Sequence, residues 1–251
     1  MPELLGSHFL VFVAIGLCAQ LVDGALGMAY GRVSAAVLLA LGMPPAAVSA
    51  SVHTAEVFTT GVSGAAHGML GNVDRRLMLR LAVPGVAGGV IGATVLSRID
   101  GDVVKPWIHA YLSVLALLIL LRATGRRLPR GEVRRVGALG FASGLLDAIG
   151  GGCWGPMGTS TLLAGVGEAR TSIGSVRAAE SAVTIAISLT FLLSIGIDHW
   201  RVVAGLLLGG VIAAPLAALL VRHVRERAVL FAVGALVLAI SCFQIYRTLA
   251  G

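Results

Sequence analysis

Apolar residues run along this chain in long blocks, and polar and charged residues gather in the short breaks between them. The blocks cover about 9–41, 47–70, 77–97 and 104–121, then about 136–165, 172–195, 202–221 and 228–247. A helix needs roughly 20 apolar residues to cross the hydrocarbon of a bilayer, and six of these eight blocks have that length. A membrane barrel would read instead as alternating segments of about ten residues. The leading block of each set of four is too long for one crossing. Glycines interrupt it near its middle, as "GALGMAYG" at 24–31 and "DAIGGGCWGP" at 147–156. The pattern predicts an all-α, polytopic membrane protein. Its two leading segments are either broken and re-entrant, leaving six full crossings, or long and tilted, giving eight.

A shift of 124 residues lays the second set of blocks on the first without a gap. Gly16 falls on Gly140, Asp23 on Asp147, Gly27 on Gly151, Gly31 on Gly155, Glu56 on Glu180 and Asp74 on Asp198. Coincident acids carry weight in a chain that has only 12 of them. The sequence therefore reads as one integrated membrane domain made of two repeats, 1–125 and 126–251. Such duplication is the usual build of a secondary transporter.

Composition and charge refine this. The chain is 57% hydrophobic and 12% charged, about half the charge of a soluble domain. The net charge of +7 sits in short loops between apolar blocks, a membrane-topology signal rather than a nucleic-acid surface. Take loop 122–135 as cytoplasmic and both leading segments as re-entrant. Then 14 Lys and Arg fall on the cytoplasmic side, Arg177 among them, and four (Arg98, Lys105, Arg201, Arg247) outside. Eight crossings would split them 11 to 7 and leave Arg32 inside the membrane. The positive-inside rule favours the first arrangement, with both termini outside and the repeats inverted. No Lys or Arg precedes Arg32, so the first block is not expected to be a cleaved signal. The expected location is the inner (plasma) membrane. Cys18, Cys153 and Cys242 form no CxxC pair, and no metal or other cofactor is called for.

Backbone amides at membrane depth must be paired, so a broken helix is tolerated only inside the protein or beside a wet cavity. Glycine allows the turn, and Pro156 suits the first turn of a new helix. Each break would thus present a helix N-terminus, which favours an anion. Close helix packing is the plainer use of such glycines and suffices for Gly85/Gly89, Gly88/Gly92 and Gly205/Gly209. Gly150, Gly152 and Gly155 also match G-x-G-x-x-G, but no strand precedes them, which argues against a dinucleotide site.

Ionisable residues at membrane depth cost a few kcal/mol each on insertion scales. Asp23 and Asp147 stand four residues before Gly27 and Gly151. Two roles fit them equally: accepting N–H bonds from the broken helix, or carrying a proton. His53 with Glu56, and Arg177 with Glu180, put a base and an acid on one helix face in each repeat. They read either as structural ion pairs or as an anion site with its proton acceptor. Tyr30 and Trp154 coincide in the repeat as gates or as packing. His67 reads as interfacial, while Arg32 could snorkel, pair with an acid or line the path.

The duplicated Asp–glycine break, "QLVDGALGMAYG" and "GLLDAIGGGCWGP", and "SGAAHGMLGNVDRR" ending the second block resemble the TauE/SafE family over essentially the whole chain. The chain departs from that pattern at His53 and Arg177, where small hydroxyl residues are more usual, and at Met28, where a glycine run is. The resemblance implies a secondary transporter, commonly an exporter of sulfite, sulfoacetate or related sulfur-containing anions, with protons as the natural coupling ion. The expected anion site comprises Gly27, Met28, Tyr30 and Gly31 on the first break. On the second it comprises Gly150, Gly151, Gly152, Cys153, Trp154 and Gly155, with the bases His53 and Arg177 beside them. Glu56 and Glu180 are the first candidates for proton coupling, then Asp23 and Asp147. The partners expected are a small anion, protons and the lipid bilayer, without nucleic acid; a homodimer is an assembly the sequence allows. A passive anion channel is the alternative. An enzyme is disfavoured, since neither a nucleophile constellation nor a metal motif is present.

Overall fold

The computed structural model describes residues 9–26, 30–124, 135–152, 154–155, 169–196, 199–220 and 226–250. Every extended regular element among them is helical. In chain order they are α1 (Phe9–Leu26), α2 (Tyr30–Ala40), α3 (Pro45–Met69), α4 (Arg75–Arg98) and α5 (Gly101–Ala123). After them come α6 (Val136–Gly150), α7 (Ala169–Ile195), α8 (Trp200–Leu220) and α9 (Glu226–Ala250). Within the described residues, Arg75–Arg98, Val103–Leu121 and Thr171–Ile195 are long and apolar enough to cross a membrane. The 11 residues of α2 rise only about 16 Å, half the hydrocarbon thickness.

Large apolar side chains point outward: Val83, Ile91, Leu117, Leu193, Val211 and Phe243 are exposed, while Ser34, Ser49, Ser143, Thr184 and Asp147 are buried. Lipid is the solvent that fits such a surface. Between helices in lipid there is little hydrophobic drive, so small residues bring backbones together instead. A methyl group at Gly144 would overlap the Gly85 carbonyl oxygen, and one at Gly88 the Phe141 carbonyl, which fixes α6 on α4. In the same way Gly16 meets the Leu206 carbonyl and Gly209 the Val13 carbonyl, joining α1 to α8. At the centre α3 packs on α7. Ser181 Oγ donates to the Thr60 carbonyl at 2.6 Å and Gly64 lies against Ala178, so these two helices pass in opposite directions. Helix α5 packs on α9.

The "GNVD" turn before α4 is tied down from both sides. Gly71 takes φ +69°, and Asp74 caps α4 by accepting from Arg76 N at 2.8 Å and Leu77 N at 3.2 Å. Its own N–H donates to Ser175 Oγ of α7 at 2.8 Å. Asp74→Ala removes the side-chain cap but keeps the backbone bond. It is expected to lower stability by about 1 kcal/mol, read as a small drop in the melting temperature of detergent-solubilised protein without loss of fold.

Candidate functional site

The two interruptions meet. Helix α1 ends at Leu26 and α2 begins at Tyr30. Helix α6 ends at Gly150; Gly151 (φ +71°) and Gly152 (φ +138°) then turn the chain towards the helical residues Trp154 and Gly155. A Cβ on Gly31 would stand 2.6 Å from the Gly151 carbonyl oxygen and 2.7 Å from Gly152 Cα, so only glycine allows this backbone contact. Gly27, Met28 and Cys153 lie outside the described residues.

Each restart is capped by its own aspartate. Tyr30 N–H donates to Asp23 Oδ1 at 3.3 Å and Trp154 N–H to Asp147 Oδ1 at 2.9 Å. These bonds satisfy amide donors that a helix start leaves open, and they hold a carboxylate at the positive end of the peptide dipoles. The second carboxylate oxygens reach across the bundle. Asp147 Oδ2 lies 3.3 Å from His53 Nε2, and Asp23 Oδ2 lies 4.0 Å from Arg177 Nη2. His53 and Arg177 are 124 residues apart, as are Asp23 and Asp147, so one pairing pattern occurs twice. Arg177 also donates through Nη1 to Glu180 Oε2 at 2.8 Å.

Between these groups lies a polar cavity of about 20 Å³, bordered by Asp23, Glu56, Asp147, Glu180 and Arg177 and by Tyr30, Gly31, Gly152 and Gly155. That is room for about one water. Thr59 and Thr60 also border it, and sequence reasoning missed them. The signal was their position three and four residues beyond Glu56 on the same helix face. Both hydroxyls donate to the Glu56 carbonyl, at 3.2 and 2.7 Å, leaving oxygen lone pairs for the cavity side.

Other expected site residues make contacts beyond the cavity. His53 is fully buried and reaches the cavity only through Asp147. Trp154 donates from Nε1 to the Val176 carbonyl at 3.2 Å and packs on Gly85. Tyr30 borders the cavity while its hydroxyl donates to the Leu206 carbonyl at 3.0 Å. Gly150 and Gly151 line a separate crevice with Ala35, Leu39, Val48 and Ser49. Arg177, counted by charge among the cytoplasmic residues, is instead enclosed in the bundle with a side chain 16% exposed. Arg32 is buried on α2, its amide nitrogen beside Gly152.

Residues 12–244 match the model of the family described as sulfite exporter TauE/SafE. The chain belongs to the TauE/SafE family. Over 245 residues this TauE/SafE chain is 41% identical to the probable membrane transporter protein YtnM of Bacillus subtilis (strain 168), a match that covers 94% of this chain and 82% of that one. No solved structure matches it. As a TauE/SafE member it is a membrane transporter and not an enzyme.

Proposed function

We propose that the protein is a proton-coupled secondary transporter that exports sulfite or a related sulfur-containing anion, working by alternating access in the inner membrane. The observation that carries this reading is the doubled cross-pairing of His53 with Asp147 and Arg177 with Asp23 beside two broken helices. The anion is held by Arg177, whose planar guanidinium matches an oxyanion, by first-turn amides at the two restarts and by the Thr59 and Thr60 oxygens. His53 adds positive charge from one layer back. The site holds four carboxylates and two bases, so an arriving anion adds to an excess of negative charge. Proton uptake on Glu56, Glu180 or an aspartate offsets it, which lowers the cost of the loaded state in a medium of low dielectric.

The halves 1–125 and 126–251 are read as inverted repeats that rock about this site. Two contacts support that reading: helices α3 and α7, related by the 124-residue shift, pass in opposite directions, and the α1–α8 packing has its counterpart in α6–α4. Loop 122–135 is assigned to the cytoplasm by its arginines.

The test is flux into proteoliposomes of sulfite, sulfoacetate, thiosulfate and sulfate, each with and without an imposed pH gradient. The expected result is saturable sulfite or sulfoacetate flux whose accumulation changes at least several-fold with the gradient. Flux that ignores the gradient and never accumulates substrate identifies a passive channel and overturns the coupling. No flux of any of the four anions overturns the substrate class.

A further inference from the structure

The hydrogen bonds of His53 fix where its protons sit. Nδ1 lies 2.8 Å from the Ser49 carbonyl oxygen and 3.2 Å from Ser49 Oγ. A carbonyl only accepts. Ser49 Oγ gives its single proton to the Ala148 carbonyl, so towards Nδ1 it also only accepts. Nδ1 is therefore protonated. The other nitrogen, Nε2, faces Asp147 Oδ2 at 3.3 Å. With Nδ1–H already in place, a neutral ring would set a bare Nε2 lone pair against a carboxylate oxygen. Contact between these two acceptors needs a second proton between them.

We propose that His53 and Asp147 together hold one exchangeable proton and form the proton-carrying site of this transporter. The inference rests on the proton-coupled reading above and moves the coupling from the two glutamates to this pair. The proton is shared, belonging to neither residue alone. In the other copy of the pattern the base is Arg177, which does not release its proton. Of the two bases in the cross-pairs, only His53 can release its proton.

The route and the consequence follow from placement. Asp147 borders the cavity and His53 does not, so the proton enters and leaves through the Asp147 carboxyl. When it leaves, Nε2 and Oδ2 face each other as two acceptors, and α3 is pushed from α6. Asp147 Oδ1 holds the Trp154 amide, so the push passes to the chain at Trp154, just beyond the second break. Other charges bear on the pair. Glu56 shares α3, Arg177 and Glu180 stand on α7, Asp23 stands across the cavity on α1, and Arg32 lies on α2. Helix α5 brings Lys105 and His109, while α4 and α8 carry theirs near the ends, as Arg75, Arg76, Arg80, Arg98 and Arg201.

Two measurements test the proposal. In proteoliposomes, wild type, His53→Gln and His53→Arg are compared in sulfite-for-sulfite exchange without a gradient and in accumulation driven by a pH gradient. In both variants gradient-driven accumulation is expected to fall at least 10-fold further than gradient-free exchange, whatever the loss of exchange itself. Undiminished gradient-driven accumulation in either variant overturns the dyad. Wild-type flux that is indifferent to the gradient overturns the coupled reading itself, which separates the two failures. The second measurement is histidine ¹⁵N NMR of the solubilised wild-type protein, which needs no active variant. One histidine is expected to keep Nδ1–H at every pH while Nε2 gains and loses a proton. Absence of any such histidine overturns the proposal.

Discussion

Arg177→Gln is expected to weaken sulfite binding at least 100-fold and to lower the stability of the solubilised protein at the same time. Both effects come from one side chain. Arg177 is bonded to Glu180 at 2.8 Å and paired with Asp23 at 4.0 Å, so removing its charge leaves two partly buried carboxylates without that partner. Breaking a buried pair from one side costs about 3–5 kcal/mol. Loss of a charged hydrogen bond to an anion costs about 2–5 kcal/mol, and roughly 3 kcal/mol is about 100-fold in affinity. The double variant Arg177→Gln/Glu180→Gln separates the effects. It removes the nearer of the two stranded carboxylates, so the melting temperature is expected to recover part of its loss, whereas sulfite binding stays lost. The measurement is the sulfite-dependent shift in melting temperature, followed for wild type and both variants. Binding within a few-fold of wild type in the single variant leaves Arg177 as a structural ion pair and takes it out of the anion site.

What was legible in the sequence was whatever recurs at short range or at the repeat distance. A spacing of three on one helix face pairs Arg177 with Glu180, and that bond is present. The same rule set His53 beside Glu56, yet His53 bonds to Asp147, 94 residues away. Helical spacing reports neighbours on one helix and carries no information on which other helix supplies a partner. The glycine breaks could be read because a chain this apolar gains nothing by interrupting a helix unless the interruption is used. Their inner geometry could not be read. Positive φ at Gly151 sends that residue towards Ala35, while Gly152 stays on the cavity. For Asp23 and Asp147 the sequence left capping and proton carriage open, and the caps at 3.3 and 2.9 Å occupy only one oxygen of each. One carboxylate can therefore do both. Thr59 and Thr60 escaped notice because hydroxyls in an apolar helix commonly bond their own backbone, as these do.

Gly152→Ala and Gly31→Ala are each expected to abolish transport, and Gly152→Ala to damage the fold as well. Gly152 has φ +138°, where a side chain is strained by roughly 1–3 kcal/mol. Its added Cβ would also stand 2.5 Å from the Arg32 amide nitrogen and 2.7 Å from the Gly31 carbonyl carbon. Overpacking of that kind costs about 1–3 kcal/mol more. Gly31 lies in a helix, so strain is not its problem. A Cβ there would meet Gly151 O at 2.6 Å and Glu56 Oε1 at 2.8 Å, prising the two breaks apart and displacing a cavity carboxylate. Gly61→Ala on α3 is the control, because nothing lies within 4 Å of an added Cβ; alanine there is expected to raise stability by up to about 1 kcal/mol and to leave flux unchanged. Yield of monodisperse protein, melting temperature and sulfite flux are measured for all three. Backbone contact between the breaks makes Gly31 intolerant in flux and Gly152 intolerant in both flux and stability, with Gly61 tolerant. If Gly31→Ala transports at the wild-type rate, the two breaks do not form one site, and an anion held between their amides has no place to bind.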